Sequence, residues 1–263
     1  MRARLALIAA AALAAALPAP AAAVTDVLWS AGHETGDISE WLINGGGPEV
    51  TASGKVSIAD GVAHSGRRSM RLSIRGADGT HGGQAIRMFR WRLVEGSLLP
   101  ESAYYSAWLY FPLRATPETF WNLIQWKTKL DSGRVDPVFS LNVGNRRGSG
   151  AMYFYLYNHP GRRAVATSRI DLPVRRWVQM EIFYRWSQER RGRVVVFQDG
   201  RDNADVRNVR TQLRSHAPLA RQWSVNYYTV SIRPSSLSLF VDDAAITRSR
   251  QGPHSWPGRA RGS

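Results

Sequence analysis

Residues 120–130, FWNLIQWKTKL, decide how the chain is read. The run is rich in aromatic and aliphatic side chains, yet it carries Gln125, Lys127 and Lys129. The sequence has 35 basic residues, and its lysines are Lys55, Lys127 and Lys129. Successive side chains of a strand point to opposite faces. Trp121, Leu123, Gln125, Lys127 and Lys129 then share one face, with Asn122, Ile124, Trp126 and Thr128 on the other. The second face reads as core around Ile124 and Trp126. The first lines up an amide and two ammonium groups beside an indole, which suits neither a core nor a plain solvent face.

The same period of two recurs along the chain and marks half-buried strands. In SMRLSI, Met70, Leu72 and Ile74 oppose Arg71 and Ser73. In WVQMEIFYRW, Val178, Met180 and Ile182 oppose Gln179, Glu181 and Arg185. In SLSLFVDD, Leu237, Leu239 and Val241 oppose Ser238 and Phe240. RVVVFQDGR runs a strand into an Asp199–Gly200 turn, a hairpin signal. Turn clusters such as NGGGP, GADGTHGG and VGNRRGSG punctuate the rest. LRATPETFWNL predicts a short helix from Thr116, with Pro117 at its first position. The pattern predicts an all-β protein built as a single antiparallel β-sandwich, a jelly roll.

Residues 1–23 have the form of a secretory signal peptide: MRAR, an apolar run of LALIAAAALAAAL, then small residues ending at Ala23. That run is too short to span a bilayer. The expectation is a secreted or periplasmic protein without a transmembrane segment, with a sandwich domain over residues 24–247. Residues 248–263, RSRQGPHSWPGRARGS, lack apolar periodicity and predict a disordered basic tail. The sequence contains no cysteine, so stability must come from a sizeable core, which 10 Trp, 9 Tyr and 8 Phe can supply. The net charge of +15 points to an acidic partner such as a polysaccharide or an anionic envelope. Nothing suggests a specific nucleic-acid reader, and a monomer is expected. No Gly-rich loop opens a helix after a strand, and neither a Gly-x-Ser-x-Gly elbow nor a His-Glu-x-x-His motif occurs.

A second stretch, AMYFYLYNHP, places Tyr153, Tyr155, Tyr157 and His159 on one face, opposite Phe154, Leu156 and Asn158. Aromatic rings stack on the apolar faces of sugars and tyrosine hydroxyls hydrogen-bond to them. The same ladder would equally stabilise any sheet by cross-strand packing.

Four stretches in order, HETGDISEW, VAHSGRRSMRLSI, YYSAWLYFP with WNLIQWKTK, and SLSLFVDDAAIT, give the chain a resemblance to the concanavalin-like jelly-roll polysaccharide lyases. That group includes heparin lyase I, glucuronan lyase and alginate lyases. The resemblance implies a concave sheet that binds an acidic polysaccharide and an enzyme cleaving it by β-elimination. The family's Gln-x-His motif corresponds to Gln125-Trp126-Lys127, with Lys in place of His. Its Arg-x-Glu-Leu-type motif is missing, GGQAIRMFRW offering Arg87 near that place without the Glu, and its closing Tyr-x-Lys motif has a partial echo in NYYTVSI, where Tyr228 is the candidate. Elimination removes the proton beside a uronate carboxylate, so donors aimed at that carboxylate lower the barrier. Gln125, Lys127 and Arg87 suit that role. Tyr157, Tyr228, His159 and His81 are candidates for the proton transfers. Trp121, Lys129, Tyr153 and Tyr155 are expected to contact substrate. Glu34 and Asp242 are placed to share a structural Ca²⁺ ion if the first and last strands meet. Two other readings compete with the lyase. One is a non-catalytic carbohydrate-binding sandwich; the other is an envelope protein held by charge.

Overall fold

The computed structural model describes residues 26–218 and 220–253. The expected signal peptide and residues 254–263 of the expected tail lie outside them. Strands dominate: β1 (Val27–Ala31), β2 (Gly47–Val50), β3 (Gly54–Asp60), β4 (Arg68–Ile74), β5 (Gln84–Arg90) and β6 (Ser102–Tyr110). Next come β7 (Thr116–Pro117), β8 (Trp121–Lys129), β9 (Val135–Asn145), β10 (Met152–Asn158), β11 (Arg163–Asp171) and β12 (Trp177–Arg185). The last are β13 (Gly192–Gln198), β14 (Arg201–Val209), β15 (Arg221–Thr229), β16 (Ile232–Arg233) and β17 (Leu237–Thr247). Helix is confined to Ser39–Leu42 and a 3₁₀ turn at Ile43–Gly45.

Two antiparallel sheets face each other. One runs β14-β13-β12-β6-β17-β4-β3, with β1 also paired to β17. The other runs β11-β10-β9-β8-β15-β5-β2. This is the jelly roll the alternation predicts. Met70, Leu72, Ile74, Val178, Met180, Ile182, Leu237, Leu239 and Val241 are all buried between the sheets. The Asp199–Gly200 turn joins β13 to β14, and both residues have positive φ (48° and 74°), the backbone that a tight hairpin turn demands.

Aromatic residues fill the centre. The rings of Trp126 and Tyr184 stack at 4.7 Å and 3°. Trp223 stacks on Trp41 at 5.8 Å. Two of the polar tips are engaged: Trp186 Nε1 donates to Tyr105 Oη at 3.1 Å, and Tyr184 Oη to the Thr211 carbonyl at 2.7 Å. A buried Trp or Tyr carries a large apolar area, so this cluster stabilises the fold without disulfides.

Two expectations change. Thr116–Pro117 is strand β7, not the start of a helix; it pairs with Ile232–Arg233, and the Glu118 N–H donates to the Ser231 carbonyl at 3.0 Å. A residue before proline is biased to extended backbone, and a pairing partner was at hand. The expected tail also starts inside the fold. Residues 250–252 lie against β12, where the Gln251 N–H donates to Glu181 Oε1 at 2.7 Å and Gln179 Nε2 to the Gly252 carbonyl at 3.1 Å. Glu181 does face away from the core, as its alternation predicts, but the chain's own end covers it to 1% exposure. No helix among the described residues is long and apolar enough to cross a membrane.

Candidate functional site

Strand β8 carries the opening stretch into the middle of its sheet, between β9 and β15. Its alternation is broken once. The register with β9 slips between the pairs Asn122↔Asn142 and Ile124↔Leu141. Leu123 is the extra residue of a β-bulge, and a bulge shifts every side chain on one side of it to the opposite face. Gln125 and Lys127 keep the outer face. Trp121 turns into the core, fully buried and edge-on to Phe111 at 5.5 Å, and so is not a substrate contact. Asn122 takes its place outside. A second slip, between Trp126↔Phe139 and Lys127↔Pro137, puts Val138 and Phe139 both in the core. It leaves Pro137 on one side of the bulge and Ser140 and Asn142 on the other facing the same way as Gln125.

These side chains line a groove of about 580 Å³ on the face of this sheet away from the core. Gln125, Lys127, Arg87, Tyr155, Tyr157, His159 and Tyr228 converge there, together with Asn122, Ser140, Asn142 and Phe120. Among the described residues no Asp or Glu lines it.

A polar chain crosses the floor. Asn226 Nδ2 donates to Asn122 Oδ1, and Asn122 Nδ2 to Asn142 Oδ1 at 3.0 Å. Asn142 Nδ2 donates to Ser140 Oγ at 3.1 Å, and Ser140 Oγ lies 2.9 Å from His159 Nε2. Ser140 Oγ, with one proton and two lone pairs, is able to donate to that nitrogen or accept from it. The His159 imidazole is half-buried. Its pKa is lowered to about 4 by burial and by the Lys127 charge, which keeps it neutral at physiological pH.

Lys127 is the unusual group. Burial first, then the Arg87 charge, lower its pKa to about 8, against a weaker pull from Glu49. Arg87 sits over the Tyr228 ring, its guanidinium carbon 4.4 Å from the centroid, and pairs with Glu49. Phe120 meets Tyr228 edge-on at 4.9 Å, and Tyr157 meets His159 at 5.1 Å. Burial, with Tyr153 and Tyr157 nearby, raises the Tyr155 hydroxyl pKa. Gln125 is 4% exposed and its Oε1 has no hydrogen-bond partner. A buried amide left partly unsatisfied is costly unless something else uses it.

The remaining expected residues lie elsewhere. His81 is exposed, its Nδ1 2.7 Å from Thr80 Oγ1. Lys129 does not line the groove; its N–H donates to the Ala220 carbonyl at 3.0 Å. Tyr153 shares the face of Tyr155 but lies beyond the groove, under the Arg146 guanidinium at 4.4 Å and over Gly144. A Cβ at position 144 would come within 2.9 Å of that ring, so the close approach requires glycine.

Glu34 and Asp242 both hold the backbone of one turn, residues 64–68. Glu34 Oε1 accepts the N–H groups of Arg67 and Arg68 at 2.9 and 2.8 Å, and Arg68 Nη1 donates to the Glu34 carbonyl. Asp242 Oδ2 accepts from His64 N at 2.8 Å and Ser65 N at 3.2 Å. Among the described residues no group of three or more His, Cys, Asp or Glu gathers to hold a metal.

The molecule is thus a two-sheet jelly roll with a cationic, amide-bearing groove on one sheet. No family model and no curated protein matches the chain in sequence. Solved structures do match in fold. An endo-β-1,4-glucuronan lyase from the fungus Trichoderma reesei is 15% identical, with a TM-score of 0.61 over 81% of this chain and 94% of that one. Cellulose induced protein Cip1 is also 15% identical, with a TM-score of 0.58 over 85% and 98%. An alginate lyase from Aplysia kurodai is 11% identical, with a TM-score of 0.53 over 85% and 99%. The fold is therefore the jelly roll seen in polysaccharide lyases, as the resemblance implies.

Proposed function

We propose that this chain is a polysaccharide lyase that cleaves a uronate-containing polymer by β-elimination at the groove. One observation carries the reading: a half-buried lysine with a lowered pKa, in a groove that no carboxylate lines. Glycoside hydrolysis by the usual route needs a pair of carboxyl groups flanking the bond, and this groove offers none. Elimination needs cationic and amide donors for the substrate carboxylate, plus a base. The solved relatives in fold include lyases of glucuronan and of alginate, both uronate polymers.

The roles follow from the chemistry of each group. The Arg87 guanidinium meets the uronate carboxylate together with the Gln125 amide. Negative charge grows on that carboxylate as the adjacent C–H proton leaves, so these contacts strengthen in the transition state. Lys127 Nζ, neutral in a substantial fraction near pH 8, takes the proton. The electron pair forms the new C=C bond, the bond to the glycosidic oxygen breaks, and a tyrosine hydroxyl, Tyr157 or Tyr228, protonates the departing oxygen. His159, kept neutral by burial and the Lys127 charge, adds a hydrogen-bonding group to the groove.

Incubation with glucuronan, alginate and heparin-like polymers tests the reading: an unsaturated uronate product absorbing in the ultraviolet is expected with at least one. Binding to these polymers with no absorbing product would instead favour a non-catalytic carbohydrate-binding module.

A further inference from the structure

The opposite sheet carries a second cationic surface that the proposed reaction does not use. A depression of about 760 Å³ crosses β3, β4 and β17 on their face away from the core, lined by Lys55, Arg71, Arg75, Ser73, Ser238 and Phe240 among others. Its order comes from strand register. Lys55 pairs with Ser73, and Ser73 with Ser238. In the neighbouring row Ser57 pairs with Arg71, Arg71 with Phe240, Phe240 with Tyr110 and Tyr110 with Trp177. Paired residues on adjacent strands lie about 5 Å apart on the same face. One row is therefore an ammonium followed by hydroxyls, and the other runs from a guanidinium along three aromatic rings.

The contacts agree with this layout. Arg71 Nε donates to Ser238 Oγ at 2.9 Å, which is itself 2.9 Å from Ser73 Oγ. The Arg71 guanidinium carbon lies 5.8 Å from the Phe240 centroid. Phe240 and Tyr110 meet edge-on at 5.9 Å, and Tyr110 and Trp177 are tilted at 5.4 Å. Lys55, Arg71 and Arg75 are exposed. Among the described residues none of the three has an acidic partner within 4.0 Å, and no Asp or Glu lines the depression. The far half of the same sheet differs: there Arg193 and Arg207 both pair with Asp205. At this end of the sheet the three cations stand without an acid beside the aromatic row, whereas Arg193 and Arg207 share one.

We propose that this face is a second, non-catalytic binding site for an acidic polysaccharide chain, with the cations meeting uronate carboxylates and the rings and hydroxyls meeting the sugar body. The identity of the polymer rests on the lyase reading above. Sugar recognition needs rings as well as charge and hydroxyl donors, and all three occur here in register. Single-stranded nucleic acid would require parallel ring platforms for its bases, whereas these rings lean on one another, one pair edge-on and the other tilted by 49°.

The test is affinity electrophoresis in alginate or glucuronan gels, with Lys127→Ala as parent so that the polymer is not degraded. Adding Lys55→Ser, Arg71→Ser and Arg75→Ser together should weaken polymer retention by about tenfold at low salt without lowering Tm. Phe240→Leu, which keeps volume but removes the ring, should weaken it several-fold. Retention unchanged in both variants overturns the site. So does retention that survives Phe240→Leu and is matched by dextran sulfate or single-stranded DNA, because the face is then only a diffuse field of positive charge. The two proposals separate cleanly. If the wild-type chain forms no unsaturated product yet loses polymer binding in these variants, the lyase reading fails alone. If product forms and the variants bind as the parent does, this inference fails alone.

Discussion

The two sheets each present an outward face rich in positive charge, and they treat it in opposite ways. On the groove sheet, Lys127 is half-buried, lacks an acidic partner and has its pKa pulled down to about 8. On the far half of the opposite sheet, Arg193 and Arg207 clamp Asp205 at 2.8 and 2.5 Å, and these bonds hold the Asp205 carboxyl well below its usual range. An exposed, paired charge contributes little stability and is common on surfaces. A half-buried, unpaired one opposes folding. A fold that keeps the second kind has a use for it beyond stability. The net charge of the chain says little; the location of cations without acids says much.

The comparison can be broken most sharply at neighbouring residues of one strand. Lys127→Ala should lower kcat/KM for polymer cleavage by about 10³-fold, the scale of a lost proton-transfer group, while Tm stays within a few degrees. Trp126→Ala, one residue away on the core face, should instead cost about 3–5 kcal/mol of stability, read from denaturant unfolding, because it empties the site stacked on Tyr184. If Lys127→Ala proves as destabilising as Trp126→Ala, Lys127 is packing and the groove is not a reaction site.

Gln125→Ala should cost about 10²-fold in kcat, the loss of one donor to the developing charge. The pH profile sharpens the contrast further. With Lys127 as base, kcat/KM should climb as pH rises through about 8, the value at which the amine loses its proton, and stay insensitive to His159, already neutral above about 4. A flat profile between pH 6 and 9 would remove Lys127 from the proton transfer.

The smallest effect concerns stability. Lys127 has a folded pKa lowered from 10.5 to about 8, so between those values the unfolded chain binds the extra proton and stability increases with pH. Lys127→Met should therefore raise Tm by a few degrees at pH 7, with the gain fading above pH 10, as scanning calorimetry would record. Replacing Arg193, whose charge is exposed and paired, should shift Tm by about a degree or less.

Much of this was legible in the primary structure. Alternation of apolar side chains identified the buried faces of β4, β12 and β17, the Asp-Gly pair identified the β13–β14 turn, and the tyrosine ladder of β10 pointed the right way. Gln125, Lys127, Arg87, Tyr155, Tyr157, Tyr228 and His159 all reach the groove. The errors have local causes. Strict alternation put Trp121 beside the lysine because a bulge leaves no periodic signature; the same bulge hid Asn122, and its neighbour on β9 hid Ser140 and Asn142. Glu181 read as solvent-facing because nothing in its strand says that residues 250–252 fold back over it.

Side-chain period and residue type within a few positions were enough for the cleanly alternating strands, their inner faces and the presence of Gln125 and Lys127 on β8, but not for the order of strands in either sheet. Tertiary structure alone decided which of those groups meet. Convergence of Arg87, Gln125, Lys127, His159 and Tyr228 arises from strands distant along the chain lying side by side. The lowered pKa of Lys127 arises from burial and from the field of Arg87 on another strand. Both are effects of distance in space, which linear spacing does not encode.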